Sequence, residues 1–266
     1  MTKKIDERIA YWENNYVSYW KDRVSSASEN KLVKKDILPP DIKIFRKYYK
    51  KALTYLRNDS SRMLDVGIGF GRSVPLYQDY FKNNIWGSDI SQGMIEECKK
   101  SYPHIANQVV AASAEKQPFK NNFVDLIVCW ATFDATYQEK VLWEFQRLLD
   151  INGVVLVTGK NNNYCLNDKK ALAAEIGARN KNHPNYFTDI KILRENIEDF
   201  GFVIKELICF KRRGDFAKDN YSKKDSQKFY EYVLILQKIK DTEEKNLKFK
   251  IADEFSQSFK NKYVQK

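Results

Sequence analysis

At 266 residues the chain lies between one and two domains on length alone, and α/β folds often reach this size as one. Hydrophobic residues at 43% and charged residues at 30% suit a soluble globule with a full core; no apolar run approaches the ~20 residues that span a bilayer, and Met1-Thr2-Lys3-Lys4-Ile5-Asp6-Glu7-Arg8 lacks the apolar stretch of a signal peptide, so the expectation is a cytoplasmic protein without membrane insertion. The net charge of +11 flanks a near-neutral middle, with 14 Lys/Arg against 8 Asp/Glu in residues 1–60, 16 against 17 in 61–201 and 10 against 5 in 202–240; without an RGG tract, an RNP1-like string or a dense basic block, no nucleic-acid module is indicated.

Residues 1–59 read as a helical cap. Trp12, Tyr16, Tyr19, Trp20 and Arg23 recur at spacings of three and four, which puts an aromatic stripe on one helical face. Pro39-Pro40-Asp41 interrupts that pattern and opens a second helix running through Tyr55-Leu56. From residue 62 short strands alternate with helices. Strands are expected at 63–66, 85–89, 108–112, 123–129 and 154–158, with helices over 71–82, 92–102, 136–149, 165–179 and 188–200. Ser91 is a plausible cap for the helix that follows it. Phe202–Phe210 and Phe229–Gln237 read as two final strands, and a helix is expected over much of 241–259. The alternation argues for a parallel sheet with helices on both faces. The last pair is joined by a loop without a helical period, so an antiparallel final strand is expected.

The most informative segment is Leu64-Asp65-Val66-Gly67-Ile68-Gly69-Phe70-Gly71-Arg72, which follows a strand and opens a helix. In such folds ligands bind beyond the carboxyl ends of the strands, and glycines let them approach the backbone. A dinucleotide fingerprint, G-x-G-x-x-G, would need glycine where Arg72 stands. A nicotinamide oxidoreductase is therefore disfavoured. Asp89 ends the next strand, about 20 residues past the loop, where an acidic side chain can take ribose hydroxyls. Ala112-Ser113-Ala114-Glu115-Lys116-Gln117-Pro118-Phe119 then precedes the apolar strand at 123–129.

Taken in order over residues 60–160, these motifs resemble the class I S-adenosylmethionine-dependent methyltransferases, in particular their small-molecule branch. The resemblance implies a Rossmann-like domain over 60–240. Its expected sheet is doubly wound, mostly parallel and seven-stranded, with the last strand antiparallel. A cap at 1–59 would cover the active site, and a helical tail would occupy 241–266. It implies S-adenosylmethionine as cofactor, with Asp65, Gly67, Gly69 and Gly71 around the methionyl part and Asp89 on both ribose hydroxyls. A carboxylate accepts two hydrogen bonds at once, which suits a vicinal diol. Ile90 and Met94 would pack near the adenine, Ser113 and Ala114 would meet its edge, and Trp130 would wall the cofactor or the acceptor. The family commonly has Asp where this chain has Ser113, which removes one expected side-chain contact to the adenine amino group. Tyr19 and Arg23 belong to the segment that folds over the cofactor in many relatives, with Arg23 placed to pair with the methionyl carboxylate.

Methyl transfer from a sulfonium needs alignment and water exclusion more than a fixed catalytic motif. A base is needed only where the acceptor must lose a proton. His183 titrates near neutrality and is the candidate base, with Tyr186 beside it in sequence. Lys160, Arg212 and Arg213 are candidate acceptor contacts, the arginines because their fork suits a phosphate. The four cysteines are scattered, without CxxC or histidine at ligand spacing, and Lys160-Asn161-Asn162-Asn163 stands where related metal-dependent enzymes have acidic ligands, so no metal is expected. The acceptor is expected to be a small anionic molecule, a phosphorylated or nucleotide-linked metabolite or sugar, with bacterial surface-polysaccharide biosynthesis one setting for it. An RNA methyltransferase and a non-catalytic S-adenosylmethionine-binding protein remain the alternatives.

Overall fold

The computed structural model describes residues 8–16, 40–56, 61–222 and 228–254. Tyr19 and Arg23 lie outside them. Residues 8–11 are helical and run into a π-helical turn at Trp12–Tyr16. Helix α1, Pro40–Leu53, buries Ile44, Phe45, Tyr48, Tyr49 and Ala52. That spacing of one and four is a helical stripe against a core.

Strands β1 (Met63–Val66), β2 (Ile85–Asp89), β3 (Val109–Ala111), β4 (Val124–Cys129) and β5 (Leu149–Lys160) are parallel neighbours where they pair. Helices α2 (Val74–Phe81), α3 (Gln92–Ser101) and α4 (Gln138–Leu148) connect them, and α5 (Lys169–Asn180) and α6 (Ile190–Asn196) follow β5. Between α5 and α6 lies β6 (Phe187–Thr188); β7 (Phe202–Phe210), β8 (Glu231–Lys238) and β9 (Ala252–Asp253) complete the chain. The main sheet has the order β3-β2-β1-β4-β5-β8-β7. β8 inserts between β5 and β7, antiparallel to both, so it alone is reversed. This is the doubly wound sheet that the motif order implied, with its single reversal on the last long strand.

The sheet is buried on both faces, and β4 shows why its sequence reads as continuously apolar. Ile127 and Cys129 join one core with Leu142 and Phe145 of α4 and Leu193 of α6. Leu126 and Val128 join the other with Phe45 of α1, Tyr77 of α2 and Ile95 of α3. Alternate residues of one strand thus serve two helix layers.

The helix expected over 241–259 is not formed within its described part. Residues 241–254 are irregular except for β9, which pairs antiparallel with β6. Burial decides this against a Lys- and Glu-rich stretch of good helix formers. Ile251 is fully enclosed, its N–H donates to Glu139 Oε1 at 2.6 Å, and its carbonyl accepts from Asp189 N at 2.7 Å. These partners spend the backbone groups that a helix would use.

At the end of the sheet where β5 begins, Lys238 is wholly buried, with Nζ donating to the carbonyls of Gln146 at 2.8 Å and Leu149 at 2.7 Å. Lys238→Met would leave both acceptors unpaired in the core, at about 1–3 kcal/mol each. The expected loss is about 2–6 kcal/mol of unfolding free energy, read from the urea midpoint, with the native far-UV spectrum retained below the transition.

Candidate active site

The glycine loop closes on the carboxyl end of β1. The N–H groups of Gly67 and Ile68 both donate to Ser88 O of β2, at 2.8 and 3.0 Å. Gly67 has φ +84°, and a β-carbon there would fall on the Thr132 side chain, so only glycine fits between loop and post-β4 segment. Gly71, at φ +86°, is not among the residues lining the cavity. A β-carbon on it would lie 2.7 Å from the Tyr102 ring and 2.9 Å from Cys98 Sγ. Gly71 thus lets helix α3 and the segment after it pack against the loop.

Asp89 ties this loop to β2. Its Oδ2 accepts from Gly69 N at 3.0 Å and its Oδ1 from Ser91 N at 2.9 Å. Each oxygen keeps capacity for one more donor. Burial pushes the carboxyl up to about 6, with Glu13 adding to the rise, while the Ser91 and Gly69 amides oppose it. Asp65 is buried and accepts from Tyr77 Oη at 2.7 Å. Burial raises it to about 7, the Tyr77 hydroxyl pulls it back, and the nearby Asp89 charge raises it further.

These carboxylates open on one cavity, which Gly67, Gly69, Ile90, Met94, Ala114 and Trp130 also line. Trp130 is held edge-on by Phe45 of α1, at 4.8 Å between ring centres, and tilted against Phe216 at 5.6 Å. Ala131, next to it, takes φ +56° and is held there by its N–H bond to Thr158 Oγ1 at 2.7 Å. Strained backbone of this kind collects at binding sites. Ser113 is not among the lining residues; its hydroxyl bonds Glu115 instead. The N-terminal segment crosses this region, with Arg8 and Trp12 lining the cavity and Glu13 Oε1 accepting from Gly93 N at 3.3 Å.

A second cavity adjoins the first at Arg8, which lines both, and takes in Tyr11, Tyr137, His183 and Tyr186. The His183 ring stands edge-on to Tyr11 and Trp12, at 5.1 and 5.3 Å, and its buried Nδ1 has no hydrogen-bond partner among the described residues. Burial lowers its pKa below the ordinary value, against the raising charge of Asp134, so the ring is neutral at pH 7. The Tyr186 ring packs on Tyr137 at 5.5 Å, and burial pushes its phenol up.

Lys160 lines neither cavity. Its ammonium lies 3.0 Å from Asp134 Oδ2 and donates to Asn185 Oδ1 at 3.0 Å, and Asn185 in turn donates to Glu175 at 2.6 Å. Burial alone would lower the lysine; the charges of Asp134 and Glu175 outweigh it and leave the pKa raised. Lys160 therefore clamps the segment carrying His183 and Tyr186 to the sheet. Arg212 and Arg213 also line neither cavity. Arg213 Nη1 donates to Tyr230 Oη at 3.0 Å, and Arg212 Nη2 to Asn167 Oδ1 at 3.0 Å. Lys160, Arg212 and Arg213 thus bond to the protein itself, and the structure does not bring them to either cavity. Arg8 and Thr132 went unread in the sequence, although Arg8 stands four residues before Trp12 and extends the aromatic stripe by one turn. Among the described residues, no group of three or more His, Cys, Asp or Glu could hold a metal ion.

Residues 64–157 match the sequence model of the family described as "Methyltransferase domain". A ubiquinone/menaquinone biosynthesis C-methyltransferase of Campylobacter jejuni subsp. jejuni (strain 81-176) is 27% identical over 110 residues, 39% of this chain and 46% of that protein. An uncharacterized methyltransferase of Schizosaccharomyces pombe is 30% identical over 96 residues, 36% of this chain and 38% of its own length. The chain thus spans about half the length, or less, of these curated relatives. Among solved structures, geranyl diphosphate C-methyltransferase from Streptomyces coelicolor A3(2) superposes with a TM-score of 0.59 at 13% identity, over 88% of this chain and 97% of that one. The [4+2]-cyclase SpnF superposes with a TM-score of 0.52 at 15% identity, over 73% and 81%. These likenesses show the fold, and the cyclase shows that the fold also carries other chemistry.

Tyr77→Phe removes the one hydroxyl that draws the Asp65 pKa down. In carboxyl ¹³C titrations Asp65 is expected to move above its value of about 7. A carboxyl raised on folding gives stability that is complete below its unfolded value and lost as pH rises through its folded one. The variant should therefore carry this loss beyond pH 7, seen as a stability decline displaced to higher pH in denaturant titrations.

Proposed function

We propose that this chain, whose residues 64–157 form a methyltransferase domain of the class I type, is an S-adenosylmethionine-dependent enzyme that methylates a small anionic metabolite or sugar, phosphorylated or nucleotide-linked. The observation that carries the cofactor reading is Asp89. Its two oxygens, each already fixed by one backbone N–H, keep one acceptor site apiece at the cavity wall. Two adjacent ribose hydroxyls present the matching pair of donors. Gly67, where a side chain would collide with Thr132, and Gly69, whose neighbourhood is open, supply a backbone wall that a polar tail can approach. Ile90, Met94 and Ala114 give apolar surface suited to a nucleobase. The residues present therefore fit the group.

Bound there, the cofactor supplies a methyl group already activated on a sulfonium sulfur. What remains for the protein is to align an acceptor, keep water out and accept a proton where one is lost. Trp130, Ala131 and Thr132 wall the cavity after β4 and serve alignment. His183 is the proposed proton acceptor: it faces the neighbouring cavity, it is neutral near pH 7, and its Nδ1 is free to take the proton when Nε2 carries the other. Tyr186 lines the same cavity beside it. Lys160 acts through the segment it clamps and is a positioning residue.

S-adenosylhomocysteine is expected to raise the melting temperature, and NAD to leave it unchanged. Asp89→Asn should weaken S-adenosylhomocysteine about tenfold or more, the scale of a charge-assisted hydrogen bond. Only the ionised carboxylate accepts from both hydroxyls, so wild-type affinity should strengthen as pH rises through about 6. Calorimetric titration between pH 5 and 8 reads both effects. Equal affinity in the Asn variant, or a flat pH profile, would remove Asp89 from the site.

A further inference from the structure

Arg8 is 5% exposed and sits at the wall shared by the two cavities. Its partners all fall on one nitrogen. Nη1 donates to Glu115 Oε1 at 2.7 Å and to Ala135 O at 3.2 Å. The guanidinium carbon lies over the Tyr137 ring, 4.3 Å from its centre. Nε and Nη2 are buried and have no hydrogen-bond partner among the described residues. Those two nitrogens share one edge of the guanidinium, and their N–H bonds point the same way. That edge matches the two oxygens of a carboxylate or phosphate. Buried donors are almost always satisfied, so an entire empty edge on a rigidly held arginine calls for a ligand.

We propose that the Nε–Nη2 edge of Arg8 receives an oxyanion of the methyl acceptor, whose body lies in the cavity lined by Tyr11, Tyr137, His183 and Tyr186. The word acceptor here rests on the methyl-transfer reading above. Three features of the site favour this occupant. The ring-lined cavity suits a molecule with a planar or apolar body. The basic Arg8, Arg179 and Lys181 on its wall outnumber the acidic Glu175 and Glu254. Glu115, which orients the guanidinium, belongs to the Ser113–Glu115 segment and not to the glycine loop, so the arginine is anchored away from the backbone proposed to receive the cofactor's amino-acid tail. Glu115 is a fit orienting anion: burial alone would raise its carboxyl, but the Arg8 bond and charge outweigh that, with help from Ser113 and the Tyr137 amide.

The test uses the full chain, with and without S-adenosylhomocysteine. Phenyl phosphate, benzoate and neutral benzyl alcohol are titrated by calorimetry into wild type, Arg8→Gln and Arg8→Lys. Phenyl phosphate or benzoate should bind wild type at least tenfold more tightly than benzyl alcohol, and whichever binds better names the oxyanion. Arg8→Gln should abolish that preference while S-adenosylhomocysteine affinity stays within twofold. Arg8→Lys keeps the charge without the fork and should also lose most of the preference, so it decides the matter if the Gln variant does not fold. Anion binding that is equal in wild type and variants, or no anion preference in wild type, would overturn the proposal. So would a tenfold loss of S-adenosylhomocysteine in Arg8→Gln with 5′-methylthioadenosine unaffected, because Arg8 would then hold the cofactor's carboxylate. If wild type ignores S-adenosylhomocysteine, the cofactor reading falls, and the titrations of the unloaded chain still decide the role of Arg8.

Discussion

The bond pair on Asp89 is the constraint on which the site depends. One oxygen draws in the amide of Gly69 and the other the amide of Ser91. The glycine loop after β1 and the first turn of α3 after β2 are thereby fixed to one carboxylate at the end of a buried strand. Neither element could place itself so well alone, because a loop of left-handed glycines has no intrinsic preference for one geometry. The arrangement sets a carboxylate in a partly desolvated place and raises its pKa, an unfavourable term. It persists because parallel pairing of β1 with β2 and two amide donors over-determine it.

This explains how much of the site was legible. The loop, Asp89, Ile90 and Met94 lie within 30 residues of one another, and their placement on one cavity follows from local chain geometry: strand, tight turn, helix start. Such features leave a spacing signature. The strands and most helices were legible for a related reason, since β4 must be apolar on both faces and α4 on one. Gly71 shows the limit of a motif. Its place in the run is correct, but what requires glycine there is the Tyr102 ring, from a segment 31 positions away in sequence.

The second cavity was not legible, because it is assembled from four distant segments around residues 8–14, 137, 175–187 and 254. No spacing rule connects Arg8 with Glu115 or Lys160 with Asn185. Lys160 and Arg213 looked like free cations because sequence shows a charge and hides its partner. In its described part, 241–254, the helix predicted over 241–259 does not form, for the same reason. Local propensity favoured it, while Ile251, Glu139 and Asp189 imposed an extended path through tertiary contacts.

Net charge and recognition also separate here. The +11 excess resides largely in lysines, many of them exposed, where water and salt screen them within about 8–10 Å. Such charge can steer an anion towards the protein, but it cannot choose one. Selection requires a cation that is desolvated, held in one plane and missing a partner on one edge. Arg8 meets these conditions among the described residues: it is buried, lies over the Tyr137 ring and is bonded only through Nη1. On the role proposed for Arg8, the basic flanks and this one arginine would act at different ranges, the flanks on the rate of encounter and the arginine on which anion stays.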